Sequence, residues 1–192
     1  VPQIEADYPN MRVTAGGEQE EQGRFGPALA FNFVLALFAM YATMALAFGS
    51  YFRPLIVLLI VPLGFIGALL GHAALGLNLT LLSIFGVIGL VGVIVNDSLL
   101  IVDLIQRAEE EGKDPVEAIS ESTIRRVRAV TLTTFTTFFS IAPLILEASV
   151  QAQFLSPTAV ALGFGVLFAS VLQMFLVPAL ASLYAMTRAV IA

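Results

Sequence analysis

Five long apolar segments, separated by shorter polar connections, dominate the pattern of this chain. They are predicted at 29–48, 54–75, 81–105, 127–146 and 158–186. A run of about 20 apolar residues is long enough to cross the hydrocarbon core of a bilayer as an α-helix. The pattern therefore predicts an all-α membrane protein with five transmembrane helices.

The longest connection predicts one further helix. Asp114 stands at the N-cap position, with Pro115 at the first helical position and Glu117 at the third. This arrangement is expected at a helix N-terminus. Val116, Ile119 and Thr123 recur on one face of the following turns. We therefore predict, in addition to the five spans, a short interfacial helix at 115–124 that lies along the membrane surface.

Composition supports the membrane assignment and narrows the chemistry. The 192 residues are 58% hydrophobic and only 12% charged, whereas a soluble domain carries about twice that share of charge. The chain has no Cys and one His, His72, which excludes a disulfide framework and a Cys/His metal cluster. We expect no metal, no cofactor and no nucleic-acid partner. Because residue 1 is not Met, we expect a piece of a longer protein.

The positive charges predict the orientation in the membrane. With five spans, seven Lys and Arg residues fall on one side and two on the other, and the side richer in Lys and Arg is normally cytoplasmic. The larger group comprises Arg53, Arg107, Lys113, Arg125, Arg126, Arg128 and Arg188, and the smaller comprises Arg12 and Arg24. The segment 1–28 is therefore predicted outside, and the interfacial helix and the tail 189–192 are predicted in the cytoplasm.

Asp97 is the most informative single residue, because it lies inside the third apolar segment. It is 8 residues from the end of that segment at Ile105, about 12 Å at 1.5 Å per residue. A carboxylate at such depth costs roughly 2.5–3.5 kcal/mol on insertion scales and marks an ion or proton path by default. The alternative is structural: a protonated Asp97 would join two helices by one hydrogen bond, worth about 0.6 kcal/mol.

The fourth apolar segment carries hydroxyl groups at a matching depth. Thr134 is 8 residues from the charged start of that segment at Arg126, and one connection joins the two segments. Thr133, Thr134 and Thr137 could therefore meet Asp97 and its neighbour Asn96, forming a path for protons. Threonines in membrane helices also serve as plain hydrogen-bonding groups between helices.

Small residues recur at spacings of three and four in the second and third segments. Glycines at such spacings let helix backbones approach closely, so a helix-packing role is predicted for them. A path or a sliding interface is the alternative interpretation. The glycines are Gly64, Gly67, Gly71, Gly86, Gly89 and Gly92.

These residues stand in motifs that resemble one family. The run GLVGVIVNDSLLIVDLIQR at 89–107 resembles the tenth-span signature of the resistance-nodulation-division (RND) superfamily. FGSYFRPLIVLLIVPLGFIGALLGHAALGLNLTLLSIFG resembles the eighth-to-ninth span connection and the ninth span, and EAISESTIRRVRAVTLTTFTTFFSIAPL resembles the surface helix and eleventh span. FLVPALASLY resembles the end of the twelfth span. The resemblance covers residues 16–184.

The resemblance implies spans eight to twelve of a proton-driven efflux permease in the bacterial inner membrane. Such a permease is a secondary transporter that exports amphipathic small molecules, and it is not an enzyme. The segment 1–28 would be the tail of a periplasmic porter domain, and 29–188 the five-span membrane part. The implied partners are the first seven spans and periplasmic domains of the same permease, two further copies in a homotrimer, a periplasmic adaptor, an outer-membrane channel and membrane lipids.

The resemblance also suggests roles for individual residues. Asn96 falls where the multidrug-exporting branch has a lysine, and Arg126 and Thr133 match an arginine and a threonine of the family's proton relay. The family's paired carboxylates belong to a fourth span that this chain does not contain. The Asn96 departure puts the lysine-based switch in doubt. The predicted relay is Asp97, Asn96, Arg126, Thr133, Thr134 and Thr137.

Two other functions stay open on the sequence alone. A scaffold or truncated remnant would have no transport of its own, since five spans lack half of the family's symmetric core. A lipid- or protein-translocating member of the superfamily would share the same membrane part. The sequence upstream of Val1 would distinguish these possibilities.

Overall fold

The computed structural model describes residues 18–147 and 149–191. Of the predicted periplasmic tail 1–28, residues 1–17 lie outside the described residues. Within these ranges the chain is helical and contains no strand. The helices are α1 (Glu18–Phe48), α2 (Phe52–Leu58), α3 (Val61–Leu75), α4 (Leu81–Glu110), α5 (Pro115–Leu146) and α6 (Val150–Ile191).

Among the described residues, five helical stretches are long and apolar enough to cross a membrane, which confirms the predicted fold class. Four of them are formed by α1, α4, α5 and α6, and the fifth is the pair α2 and α3, taken together over Phe52–Leu75. Most helices continue beyond the apolar runs. For example, α1 begins at Glu18 and α4 continues to Glu110, because helical hydrogen bonding does not stop where hydrophobicity ends.

The second span, predicted as the apolar segment 54–75 with a kink at Pro62, is broken just before that proline. The helix ends at Leu58 and begins again at Val61, with Pro62 in the first turn of α3. Proline has no N–H to donate and clashes with the carbonyl of the preceding turn, so the helix restarts around it.

The predicted interfacial helix at 115–124 is not a separate element. Asp114 caps α5 as expected, since its carboxylate accepts a hydrogen bond from the Val116 N–H at 3.1 Å. The helix then runs unbroken to Leu146, because the stretch Ile124–Arg128 has neither glycine nor proline to end it. At 1.5 Å per residue its 32 residues span about 48 Å, more than the roughly 30 Å hydrocarbon core.

The tight turn between α3 and α4 is built from local capping groups. Gly76 ends α3 with φ at 66°, a left-handed conformation that favours glycine. The Thr80 hydroxyl accepts from the Ser83 N–H at 3.2 Å, and the Ser83 hydroxyl accepts from the Thr80 N–H at 3.1 Å. This reciprocal capping box starts α4 at once. The two helices are therefore antiparallel neighbours.

Helix α6 is the centre of the bundle and contacts α3, α4 and α5. Its residues Val160, Val166, Ala169 and Val177 are fully or almost fully buried. By contrast, α1 is peripheral and buries only Met44 and Phe48 among its described side chains. The central position of α6 places its side chains between the two helices that carry Asp97 and the threonine row.

Candidate proton-relay site

Asp97 lies on the buried face of α4, where its side chain is 7% exposed. Its neighbours on that face are Ile94, Ser98 and Ile101, all buried. The charge that acts on the carboxyl group is the guanidinium of Arg126, from the beginning of the apolar part of α5. The structure thus brings together the acid and the arginine that the sequence predicted for the relay.

The threonines divide between the inside and the outside of the bundle. Thr134 is 6% exposed and faces the interior. Thr133 is exposed, and its hydroxyl donates to the carbonyls of its own helix at Val130 (3.0 Å) and Ala129 (3.1 Å). Thr137 is half-buried. Of the three predicted threonines, Thr134 is therefore the one buried within the described bundle.

Asn96 points away from the buried face of α4 and is exposed. This follows from helix geometry, because consecutive side chains are about 100° apart. Asn96 shares its exposed face with Gly92 and Gly89, which precede it by four and seven residues. The structure therefore does not bring Asn96 into the buried cluster with Asp97.

Two buried polar residues near Asp97 were missed by the sequence reasoning. The Ser98 hydroxyl donates to the side-chain carbonyl of Gln173 on α6 at 3.0 Å, and the two residues are 0% and 1% exposed. The signal for Gln173 was present, since it is the only Asn or Gln between 158 and 186. A polar side chain in an apolar span faces the protein interior as a rule.

Several buried polar atoms at this site have no hydrogen-bond partner among the described residues. They are Nε of Arg126, Oγ1 of Thr134 and Nε2 of Gln173. A buried polar group left unsatisfied costs about 1–3 kcal/mol. Thr134 also lines a groove of about 460 Å³ between α5 and α6, together with Ser170 and Met174.

The six predicted packing glycines fall into two groups. A Cβ at Gly67 or Gly71 would lie 2.5 Å from the Cβ of Phe168 or Phe164, respectively. Gly64 likewise faces Ile94 and Leu90, and Gly86 faces the backbone of α6. At Gly89 the nearest atom, Leu162 Cδ1, would be 4.0 Å away, and at Gly92 nothing lies within 4 Å. The first four positions therefore hold helices at close approach, and the last two face outward.

Two further ionisable residues of the spans, His72 and Asp103, have structural partners. His72 is buried, with Nδ1 at 2.9 Å from the Ala68 carbonyl and Nε2 at 2.8 Å from the Ser83 hydroxyl. Asp103 pairs with Arg107 at 2.9 Å near the end of α4.

At the same end of the bundle, Arg53 donates to Glu109 at 2.8 Å. This ion pair places the start of α2 beside the end of α4. In the connection that follows, Lys113 and Arg125 both pair with Glu121. The hydrogen bond to Glu121 raises the pKa of Lys113 above its ordinary value. These pairs fasten the α4–α5 connection to the first turns of α5.

Comparison with known families agrees with the resemblance seen in the motifs. Residues 4–186 match the AcrB/AcrD/AcrF family, so the match includes four described spans, nearly all of the fifth and every residue of the site. Its members are transporters and not enzymes. The chain therefore belongs to the AcrB/AcrD/AcrF family of RND permeases and forms a multi-pass membrane part of that type.

Proposed function

We propose that this chain forms the last five spans of a proton-driven RND-type efflux permease. The permease exports amphipathic small molecules from the inner membrane or the periplasm, and the chain contributes part of its proton path. Family membership supports transport as the activity. The buried carboxyl of Asp97 is the observation that carries the proposal for proton coupling.

Asp97 has the features of a titrating group more than those of a helix-joining group. Its side chain is 7% exposed in the described bundle, and one helix-joining hydrogen bond would offset only a small part of the cost of inserting a carboxylate. The hydroxyl of Thr134 makes no hydrogen bond to another described residue. In this proposal the Asp97 carboxyl gains and loses the proton, with Arg126 as the nearby opposite charge.

The relay in this proposal has an inner part and an outer part. Asp97, Arg126 and Thr134 form the inner part, and Asn96, Thr133 and Thr137 face outward or half outward. Asn96 cannot titrate in this range, so it serves as a hydrogen-bonding group where relatives have a lysine. The outer residues face the side on which we place the further spans of the permease. Those spans carry the family's paired carboxylates.

An uncovered face of α4 supports the presence of those further spans. Gly89, Gly92 and Asn96 are exposed in the described bundle. An amide facing lipid is costly, whereas small residues invite a helix to pack closely. We infer that the first seven spans of the permease cover this face.

The same proposal assigns the location and the larger assembly. The permease lies in the bacterial inner membrane, with the N-terminal segment in the periplasm and the C-terminus in the cytoplasm. The Arg53–Glu109 pair joins two of the predicted cytoplasmic connections at one end of the bundle, and the excess of Lys and Arg at that end supports its cytoplasmic assignment. The complete permease forms a homotrimer that binds a periplasmic adaptor and an outer-membrane channel, and exposed apolar side chains of α1 contact lipid.

The test is Asp97→Asn in the complete permease. This change removes titration but keeps shape and hydrogen-bonding capacity, so we expect export to be abolished while membrane insertion is retained. Asn96→Ala should have a smaller effect. Asp103→Asn is the matched control, because Asp103 lies in the same helix but is paired with Arg107 near its end. The measurement is dye efflux driven by an imposed pH gradient at equal expression.

Full export by Asp97→Asn would contradict the proposal and leave Asp97 with a structural role. Equal loss in Asp97→Asn and Asp103→Asn would also contradict it, because a general sensitivity of α4 to lost charge would then explain both.

A further inference from the structure

The amide of Gln173 is an almost fully enclosed polar group between α4 and α6. One end of it is bonded to the Ser98 hydroxyl at 3.0 Å. The other end is buried and has no partner among the described residues. Exchanging the nitrogen and oxygen of the amide would leave the same result, since Ser98 can satisfy only one end.

A second unpartnered group lies on the adjacent helix. The Thr134 hydroxyl is buried and makes no hydrogen bond within the described part of the chain, unlike that of Thr136, which donates to the Leu132 carbonyl at 2.8 Å. Thr134 lines the α5–α6 groove with Ser170 and Met174. Ser170 is one helical turn before Gln173 and Met174 directly follows it, so Thr134 and Gln173 lie at the same level of the bundle.

The two groups are complementary to one small ligand. An amide N–H donates, and a threonine hydroxyl can donate or accept. Water satisfies both with two of its usual two to four hydrogen bonds, and buried waters typically occupy sites of this kind. The groove around Thr134 is lined mostly by apolar side chains, including Val130, Leu167 and Val171, and its other polar lining residues are Thr123, Thr131 and Ser170.

We propose that the α4–α5–α6 interface holds an internal water molecule, bound between the side-chain amide of Gln173 and the hydroxyl of Thr134. Ser98 orients the amide, and Ser98 directly follows Asp97 in α4. Gln173 is thus a positioning residue that keeps a proton-carrying water at the level of the Asp97 carboxyl. The role in proton supply rests on the proposed function, whereas the water site itself does not.

The water site can be tested without measuring transport. Permease labelled with ¹⁵N-glutamine is reconstituted in lipid bilayers, and magnetisation is transferred from water protons to side-chain amides by solid-state NMR. The Gln173 signal is identified by its loss in Gln173→Met, a change that keeps side-chain length. We expect a strong water contact at Gln173 in the unmodified protein and loss of that contact in Thr134→Val.

Thr136→Val is the matched control. It makes the same change in the same helix, but the Thr136 hydroxyl is satisfied within α5. We expect it to retain the water contact. Absence of water transfer to Gln173 in the unmodified protein would overturn the proposal, and so would persistence of the contact in Thr134→Val.

The proton role is tested separately by export. Gln173→Met and Thr134→Val should each slow gradient-driven export about tenfold, which corresponds to roughly 1.4 kcal/mol, and the double variant should be no slower because both remove the same water. Additive losses would contradict a shared water. If the water contact is present but export does not depend on the pH gradient, the proposed function fails and the site stands.

Discussion

A single methyl group at Gly86 should force α4 and α6 apart. A Cβ at this position would lie 2.5 Å from the carbonyl oxygen of Thr158 and 2.9 Å from the Cβ of Ala161. A backbone carbonyl cannot rotate away as a flexible side chain can. Ordinary contact begins near 3.4 Å, so the helices must separate locally by about 0.9 Å.

The separation of α4 and α6 lowers the free energy of unfolding by an amount that follows from three contributions. Overpacking a tight interface costs about 1–3 kcal/mol. The Thr158 hydroxyl also donates to the Leu82 carbonyl at 2.7 Å, and this bond between the same two helices would lengthen. Against these losses, replacing glycine by alanine within a helix gains about 0.8–1 kcal/mol. We expect Gly86→Ala to lower the free energy of unfolding by about 1–2 kcal/mol.

Gly92→Ala is the matched control because it makes the same change in the same helix. No atom lies within 4 Å of a Cβ at Gly92, so only the gain in helix propensity applies and stability should rise slightly. The measurement is the denaturant dependence of helical circular dichroism for the 192-residue chain in detergent. Equal stability of the two variants would refute the close approach of α4 and α6 at Gly86.

Two further predictions concern the chain as a whole. The 192-residue chain alone should not transport, because it contains Asp97 but not the paired carboxylates of the family's first half; dye movement driven by a pH gradient in liposomes would contradict this. Cysteines at Arg53 and in the connection 106–126 should resist labelling from outside intact cells, whereas cysteines at Glu18 and Gln151 should react. The reverse labelling pattern would invert the topology derived from the seven-to-two distribution of Lys and Arg.

The sequence was sufficient for the membrane class and the number of spans, because both depend on local composition. A bilayer requires a run of about 20 apolar residues, and five such runs are visible without any tertiary information. Helix ends were predicted well where local chemistry sets them, as at Asp114. They were predicted poorly where an apolar run was taken as the whole helix. Helix α5 is an example, because it continues past Ile124, where the interfacial helix was predicted to end.

The site was predictable only in part for a related reason. Asp97 stands out in sequence because its cost in an apolar run does not depend on its neighbours. Whether Thr133 or Thr134 faces the interior depends on the rotation of α5 against α6. An apolar, hydroxyl-rich helix has no strong polar face to reveal that rotation, so the exposure of Thr133 and the burial of Thr134 emerged only from packing.

The sequence by itself therefore determined that this is a five-span membrane chain with a carboxyl inside its third span and the motifs of an RND permease. Only the tertiary structure decided which polar groups meet. Ser98 and Gln173 are 75 residues apart, and their bond exists because α6 lies at the centre of the bundle beside α4. In an apolar solvent the helices form individually, and shape complementarity at positions such as Gly67 and Gly86 then fixes their contacts.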